Sequence, residues 1–173
     1  MDVVGLTGSA QTARSLRSIP VILKISGRFV AEQDSLNGSI LGPDAMPGTP
    51  EFDLFVKEVS REMTTKAGQK CTAIRRIIAP VDQVQAVIDA VSAQLDKIVI
   101  GDPQLDTTGM GPLVSAGQKR DVLAKAAIIG QEAACVYGNP EQIAVDGADA
   151  EKGAFGPPML FHCPDPDLSI INI

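Results

Sequence analysis

Residues 63–78 read MTTKAGQKCTAIRRII and join an apolar helix pattern to an apolar strand pattern. Gly68 is predicted to end the helix, because glycine is the residue that helices favour just beyond their last turn. Ile74–Ala79 reads as a strand, and Pro80 stops the run. Cys71 is therefore expected in a short loop between a helix and a strand.

The helix before this loop has a regular apolar stripe. It is predicted to begin at Thr49 and Pro50, because threonine is a good N-cap and proline is tolerated at the first helical position. The stripe consists of residues at helical spacing, namely Phe52, Phe55, Val56, Val59 and Met63. Charged residues lie mostly outside it: Glu51, Lys57, Glu58, Arg61 and Glu62. One buried face and one charged face are expected.

The first part of the chain predicts a strand, a tight turn and a helix. Val3–Leu6 is a short buried-strand pattern, Thr7-Gly8-Ser9 is the turn, and Ala10–Ser18 is a helix that Pro20 closes. Two further strands are predicted, at Val21–Ile25 and Leu36–Leu41.

Strands and helices alternate in the rest of the chain as well. A helix is predicted over Asp82–Lys97, with Asp82 as its cap, and another from Ser115, whose spacing to Gln118 matches a capping box, to about Gly130. Strands are predicted at Cys135–Tyr137 and Met159–His162. This alternation indicates an α/β architecture.

Composition restricts the class of partner. The chain has 173 residues, and its 45% hydrophobic residues are enough to form a core. Its formal net charge of −6 argues against a nucleic-acid surface. No apolar run approaches the about 18 residues that a membrane helix needs, and no basic segment with an apolar signal core follows Met1. A cytoplasmic location with no membrane and no nucleic-acid partner is expected.

The three cysteines, Cys71, Cys135 and Cys163, lie far apart and include no CxxC pair, which suits neither a disulfide framework nor a zinc site. His162 is the single histidine, so a Cys-His pair or a multi-histidine metal site would depend on it alone. No metal is expected. His162-Cys163 reads as a strand end, and Cys135 as a core residue.

Cys71 is the residue best suited to nucleophilic chemistry. A thiolate in a glycine-bearing loop after a helix can attack a carbonyl carbon while its own backbone N–H and that of Thr72 point at the carbonyl oxygen. Taken alone, a buried inert cysteine is an equally good interpretation, because cysteine is often a small core residue. Lys66 and Lys70 could favour the thiolate, although solvated lysines are the simpler interpretation.

The neighbouring motifs favour the catalytic interpretation. Residues 63–78 resemble the nucleophile segment of the aldehyde dehydrogenase superfamily, whose shared core is Gly-Gln-x-Cys. Glu32 matches the glutamate that activates the hydrolytic water in that family. Leu6-Thr7-Gly8-Ser9 resembles its Phe-Thr-Gly-Ser turn against the cofactor, with leucine in place of phenylalanine. Two later landmarks also match in order, Gly101-Asp102-Pro103 and Met110-Gly111-Pro112-Leu113.

A narrower resemblance is to semialdehyde dehydrogenases of aromatic-acid catabolism. It is carried by Glu32-Gln33-Asp34-Ser35-Leu36-Asn37 together with residues 63–76. It includes the dehydrogenase half of the bifunctional protein of aerobic phenylacetate catabolism and a semialdehyde dehydrogenase of benzoyl-CoA epoxidation, and the sequence does not separate the two. Asp34, Ser35 and Asn37 fit this pattern, with turn-forming or structural roles left open.

The resemblance implies an oxidation of an aldehyde by NADP or NAD, with NADP favoured. Cys71 would form a thioester, Glu32 would activate the water that hydrolyses it, and Thr7, Gly8 and Ser9 would contact the cofactor. The substrate would be a small aldehyde, possibly CoA-linked, and full-length relatives would be homo-oligomers. Taken alone, Glu32 would more often be a solvated carboxylate.

The same resemblance divides the chain into two parts. Residues 1–66 are expected to be the end of an NAD(P)-binding domain and residues 67–173 the start of a catalytic domain, with both ends cut. The family asparagine that helps to hold the oxyanion would lie upstream, so the chain by itself is expected to be nearly inactive. The alternative is a non-catalytic fragment or degenerate paralogue that serves as an interaction module; a thiol redox sensor has no evident partner cysteine.

Overall fold

The computed structural model describes residues 3–24, 27–165 and 167–168, and for Leu23 only the backbone. The chain divides after Leu36 into two compact units. The first unit contains strand β1 (Val3–Gly8), helices α1 (Ala10–Arg17) and α2 (Pro20–Lys24), and strand β2 (Arg28–Gln33). The second contains β3 (Asn37–Ile40), α3 (Pro50–Thr64), β4 (Ile74–Ile78), α4 (Val84–Leu95), α5 (Ala116–Ile129), β5 (Ala134–Tyr137) and β6 (Leu160–His162).

The first unit is a strand-helix-helix-strand crossover. β1 and β2 are parallel, which requires a crossover segment between them, and α1 and α2 provide it. Ser9 is the N-cap of α1, and its hydroxyl accepts a hydrogen bond from the Thr12 backbone N–H. The predicted strand and helix are therefore present, but Thr7 and Gly8, predicted in the turn, are the last two residues of β1.

Two other predictions for this unit are wrong. Residues 20–24 form a helix instead of part of a strand, and the end of the predicted strand at Ile25 lies outside the described residues. Pro20 begins this helix instead of closing the previous one, because proline fits the first helical position, where no N–H is needed. The strand β2, which contains Glu32, was not predicted.

The second unit is built around the packing of α3 on α4. Its core comprises Leu41, Ala45, Phe52, Val56, Val59, Val87, Val91 and Leu95. β3 and β4 form a parallel pair with α3 as the crossover between them, and β5 and β6 form a separate antiparallel pair. The apolar stripe predicted for α3 thus faces the core, and the alternation of helices and strands confirms the predicted α/β class.

Three local predictions for the second unit need correction. α4 begins at Val84 after Gln83, which provides no side-chain cap, so Asp82 is not the cap. Glu62, expected on the charged face of α3, is buried. Cys135, expected in the core, is exposed because β5 belongs to a sheet of only two strands and turns three of its four residues outward. Ser115 caps α5 as predicted.

No helix within the described ranges combines the length and apolarity needed to cross a bilayer.

Candidate active site

Cys71 lies in a tight turn between α3 and β4, as predicted. After α3 the segment Thr65–Gly68 leads into the turn, in which the Ala73 N–H donates to the Lys70 carbonyl at 3.3 Å. The Cys71 side chain is a free thiol and is exposed. An exposed thiol at the tip of a turn is accessible to a substrate, whereas the inert-cysteine interpretation required burial.

The backbone before this turn is left-handed at three successive residues. Lys66, Ala67 and Gly68 have φ values of 54°, 53° and 70°. For Lys66 and Ala67 this conformation costs about 1–2 kcal/mol each, because Cβ approaches the carbonyl oxygen. Arg75 stabilises the segment from the start of β4, since its guanidinium donates to the Gly68 carbonyl at 3.0 Å. The chain is thereby reversed sharply ahead of Cys71.

A buried carboxylate anchors the residues on either side of Cys71. Lys70 Nζ lies 2.8 Å from Glu62 Oε1, and the Thr72 hydroxyl is 3.5 Å from Glu62 Oε2. The hydrogen bond from Lys70, followed by the positive charges of Lys70 and Arg61, holds the pKa of Glu62 below its ordinary value against the opposing effect of burial. Lys70 is therefore an ion-pair partner and not a solvated lysine.

Asn37, at the start of β3, contacts the same turn. Its side-chain amide Nδ2 donates to the Cys71 carbonyl at 2.6 Å and to the Ala73 carbonyl at 3.2 Å. The sequence left the role of Asn37 open, and nothing in its local pattern indicated this contact. The sequence contains a weak indication that Glu62 is buried, because Glu62 follows Val59 by three residues and so lies at the edge of the apolar stripe.

Gln69 joins the turn to the end of the last landmark, Met110-Gly111-Pro112-Leu113. Its Oε1 accepts the Val114 N–H at 2.9 Å, and its Nε2 donates to the Lys66 carbonyl at 2.8 Å. A cleft of about 580 Å³ lies beside it, lined by Lys66, Gln69, Pro103, Thr108, Gly109, Gly111, Pro112, Leu113 and Val114. The structure therefore brings residues of three of the five sequence landmarks together around one cleft, and one of its lining residues, Gln69, lies two positions before Cys71 in the chain.

Gly101 shows why one of these landmarks requires glycine. The Gly101 N–H donates to the Met110 carbonyl at 3.1 Å, and the Asp102 N–H donates to the Asp146 carbonyl at 2.9 Å. A Cβ on Gly101 would collide with the Asp146 carbonyl. The motif is thus a close backbone crossing that holds the 101–114 segment in place.

The first unit places the predicted cofactor turn beside the predicted base. In the parallel pair of β1 and β2, Thr7 is the register partner of Glu32, and Gly8 is the partner of Gln33. Thr7, Gly8, Ser9 and Glu32 are all exposed. The turn lies at the carboxyl end of β1, the edge at which parallel α/β sheets bind ligands.

Two backbone N–H groups at the start of α1 already have side-chain acceptors within the same unit. The Ala10 N–H donates to Asp34 Oδ2 at 3.0 Å, and the Thr12 N–H donates to the Ser9 hydroxyl at 3.1 Å. Asp34 adopts φ 45°, a left-handed conformation that aspartate tolerates better than most residues. An acidic side chain at this position opposes binding of a cofactor phosphate here and is compatible with the cationic nicotinamide end.

Glu32 belongs to the first unit and Cys71 to the second. Their pairing as base and nucleophile therefore stays a prediction, as do the roles of Thr7, Gly8 and Ser9. The expected domain boundary at residues 66/67 also stays a prediction. Among the described residues, no group of three or more histidine, cysteine or acidic side chains could hold a metal ion.

The family model for the aldehyde dehydrogenase family matches residues 1–172 of the chain. The chain belongs to the aldehyde dehydrogenase family. It is 48% identical over 162 residues to a 3,4-dehydroadipyl-CoA semialdehyde dehydrogenase from Aromatoleum evansii, covering 94% of this chain and 32% of that protein. It is 26% identical to a 3-succinoylsemialdehyde-pyridine dehydrogenase from a Pseudomonas species, over 98% of this chain and 34% of the relative. The chain thus spans about a third of the length of these relatives.

Solved structures of the family share the fold. Aldehyde dehydrogenase C from Pseudomonas syringae, in complex with NAD+ and octanal, matches with a TM-score of 0.83 and 27% identity, over 99% of this chain and 33% of that one. Betaine aldehyde dehydrogenase from Staphylococcus aureus, in complex with NAD+, matches with a TM-score of 0.84 and 22% identity, over 99% of this chain and 32% of that one. The predicted aldehyde-dehydrogenase-like fold is confirmed.

Proposed function

We propose that the natural protein containing this chain oxidises an aldehyde to the carboxylic acid through a thioester on Cys71, with NADP or NAD as hydride acceptor. The observation that carries the proposal is the exposed Cys71 in a turn that is held from both sides, by Glu62 and by Asn37. A nucleophile needs access for its substrate and a fixed backbone to orient the oxyanion donors, and this turn combines both.

The first steps use groups of the second unit. The Cys71 thiolate attacks the aldehyde carbon, and the carbonyl oxygen becomes an oxyanion that accepts hydrogen bonds from backbone N–H groups of the turn. When bound, the nicotinamide cofactor supplies the oxidant that takes the hydride from this carbon. Cys71 then carries the acyl group as a thioester. The cleft beside Gln69 is the part of the second unit suited to the substrate, because it opens next to the turn.

Glu32 supplies the last step in this proposal. Its carboxylate takes a proton from water, the resulting hydroxide attacks the thioester carbon, and the Cys71 thiolate leaves with the acid as product. Thr7, Gly8 and Ser9 would contact the nicotinamide end of the cofactor, which is supported by their place at the carboxyl end of β1 and by the acidic Asp34 beside them. NADP is proposed as the preferred cofactor from the narrower family resemblance.

The proposed substrate is a CoA-linked semialdehyde of aromatic-acid catabolism. Support for the CoA-linked semialdehyde comes from the relative that is 48% identical over 162 residues, or 94% of this chain, and whose name specifies a CoA-linked semialdehyde. Aromatic-acid catabolism is proposed from the narrower family resemblance. Aldehydes with and without the CoA moiety, compared by kcat/KM with each cofactor, test both choices. A CoA-linked semialdehyde no better than its free-acid counterpart would contradict the substrate, and equal or better use of NAD would contradict the cofactor.

Trapping of the acyl-enzyme tests the mechanism. In the longest natural protein that contains this chain, Glu32→Gln should accumulate an acyl adduct on the peptide with Cys71, detectable by mass spectrometry after an acid quench. Cys71→Ser should abolish both the adduct and aldehyde-dependent reduction of the cofactor. Cys135→Ser is the matched control, because Cys135 is also an exposed free thiol. Full activity of Cys71→Ser would overturn the proposal, because the oxidation would then proceed without this thiol. Absence of aldehyde-dependent reduction of either cofactor by the unaltered natural protein would instead favour the non-catalytic interaction module.

A further inference from the structure

Among the described residues, Asn37 forms the shortest side-chain hydrogen bond to residues 70–73, the nucleophile turn. Its single amide nitrogen donates to two carbonyls of the turn, those of Cys71 at 2.6 Å and Ala73 at 3.2 Å. Asn37 thus holds both the carbonyl of the proposed nucleophile and the carbonyl of the residue that precedes β4. The amide NH2 group of asparagine carries two hydrogens, so it can donate one to each carbonyl.

The position of Asn37 depends on an irregularity in the β3–β4 pair. Asn37 is paired with Ile74, whereas the next residue, Gly38, is paired with Arg76, so Arg75 is an extra residue in β4. Such bulges redirect side chains next to functional sites. Here the bulge leaves Asn37 opposite the first residue of β4 and therefore beside the turn that precedes it, while Arg75 reaches back to the Gly68 carbonyl.

A fixed carbonyl also fixes the neighbouring N–H, because a trans peptide is planar and the two groups point in opposite directions. The bond from Asn37 to the Cys71 carbonyl therefore sets the direction of the Thr72 N–H. In the same way, the bond from the Ala73 N–H to the Lys70 carbonyl sets the direction of the Cys71 N–H. The two peptide planes on either side of the nucleophile are both held.

The two N–H groups held in this way are available for a substrate oxygen. In the described part of the chain, neither the Cys71 N–H nor the Thr72 N–H donates a hydrogen bond, whereas the carbonyls of the same peptides are both engaged. Donors that are oriented before the substrate arrives stabilise a developing oxyanion without reorganisation. A side chain that orients them contributes to the rate without touching the substrate.

We infer that Asn37 is a positioning residue for the oxidation, which holds the backbone donors of the Cys71 turn in the direction that stabilises the oxyanion. The inference rests on the proposed function, because it assigns Asn37 a part in the chemistry of Cys71. It goes beyond that function by naming a residue that acts through hydrogen bonds to the turn and not on the substrate.

The test compares two reactions of the same thiol in the longest natural protein that contains this chain. Aldehyde oxidation builds charge on a carbonyl oxygen, whereas alkylation by iodoacetamide forms a carbon–sulfur bond and releases iodide without an oxyanion. Asn37→Ala should lower kcat on the order of 10- to 100-fold, since a misdirected donor loses most of its effect. Alkylation of Cys71 should stay within about threefold, because it depends on the thiolate and its access.

A second variant adds a pH readout. Asn37→Asp has the same shape, but its carboxylate would face two carbonyl oxygens and repel them. Protonation restores one O–H donor, and the carbonyl dipoles favour the neutral form. The activity of Asn37→Asp relative to Asn37→Ala should therefore rise as the pH is lowered from about 8 to about 5.5, above the ordinary aspartate pKa of about 3.9.

Ser39→Ala is the matched control, because Ser39 lies two residues along β3 on the same face. It should leave kcat and alkylation unchanged. The inference is overturned if Asn37→Ala keeps kcat within about threefold of the natural protein, or if alkylation slows in proportion to kcat, which would indicate a collapsed turn. Activity that survives Cys71→Ser would instead contradict the proposed function, so the two failures are distinguishable.

Discussion

The ammonium of Lys70 and the carboxylate of Glu62 lie 2.8 Å apart, and the carboxylate is almost buried, with only 10% of its side chain exposed. Glu62 is in the last turns of α3, and Lys70 immediately precedes Cys71. The pair therefore connects the best-packed helix of the second unit to its proposed nucleophile. A buried carboxylate without its cation would be costly, so the pair constrains where the turn can lie.

The Glu62 pair should make stability depend on pH in a defined direction. Because the folded-state pKa of Glu62 is lowered, the unfolded state binds more protons between the two pKa values, and stability rises with pH there. The contribution of Glu62 is present above the unfolded value of about 4.3 and is lost as the pH falls through the folded value. Glu62→Gln should thus unfold at lower urea concentration at neutral pH, and the difference should shrink below about pH 4.

Glu58→Gln is the control for this prediction. Glu58 pairs with Arg61 at 2.6 Å, but both side chains are substantially exposed, at 38% and 59%. Exposed pairs of this kind contribute little to stability. Urea titrations of both variants at several pH values provide the measurement. A Glu62→Gln effect that is equal at acidic and neutral pH would show that lost packing, and not charge, accounts for it.

The left-handed segment before Cys71 predicts that replacing glycine by alanine lowers stability at Gly68 but not at Gly117, which lies in a helix. Gly68→Ala places a Cβ at φ 70°, with Met63 O and Arg75 Nη1 both 3.4 Å away. We expect a loss of about 1–2 kcal/mol in the free energy of unfolding. Gly117→Ala, in the first turn of α5, should be neutral or stabilising by up to about 1 kcal/mol, because glycine is unfavourable in a helix. Equal effects of the two substitutions in urea unfolding would contradict the left-handed assignment.

The sequence predicted those features that depend on local pattern. The stripe of α3, its Thr49 cap and the loop position of Cys71 follow from helical periodicity and from cap and glycine chemistry, and all are present. α2 was mistaken for a strand because its five residues are too few for a helical period to differ from an apolar run. β2 was missed because Arg28–Gln33 mixes charged and apolar residues without a clear strand pattern. Its strand conformation is stabilised by pairing with β1.

The contacts that define the site could not be read from the chain in the same way. Asn37 reaches the Cys71 carbonyl across 34 residues of sequence, through a register shift between β3 and β4 that no local pattern reports. The burial of Glu62 likewise depends on where Lys70 lies after the left-handed turn. Family motifs predict roles for Cys71 and Glu32, but the side chains that hold the turn became visible only in three dimensions.

The packing of α3 on α4 predicts which valines matter for stability. Val59 has no exposed surface and lies in the core between the two helices, whereas Val81 is 92% exposed. Val59→Ala should lower the free energy of unfolding by about 2 kcal/mol, from lost apolar burial and the cavity that remains. Val81→Ala should change it by less than about 0.5 kcal/mol. Urea unfolding of the second unit measures both, and similar losses would contradict the assigned core.

The link between Gln69 and Val114 predicts a site-specific change in dynamics. The Val114 N–H has Gln69 Oε1 as its acceptor at 2.9 Å, and this bond joins the nucleophile turn to the wall of the cleft. Gln69→Ala removes the acceptor, so hydrogen exchange at Val114 should accelerate by roughly 5- to 10-fold, as expected for a bond that contributes about 1 kcal/mol. Gln69→Glu keeps an acceptor oxygen and should retain most of the protection of the Val114 N–H from exchange.

Gln85→Ala is the control, because it removes an exposed bond to Asp89 on α4 and should leave hydrogen exchange at Val114 unchanged. Unaltered exchange at Val114 in Gln69→Ala would show that the cleft wall is held by other contacts, and Gln69 would lose its role in shaping the cleft.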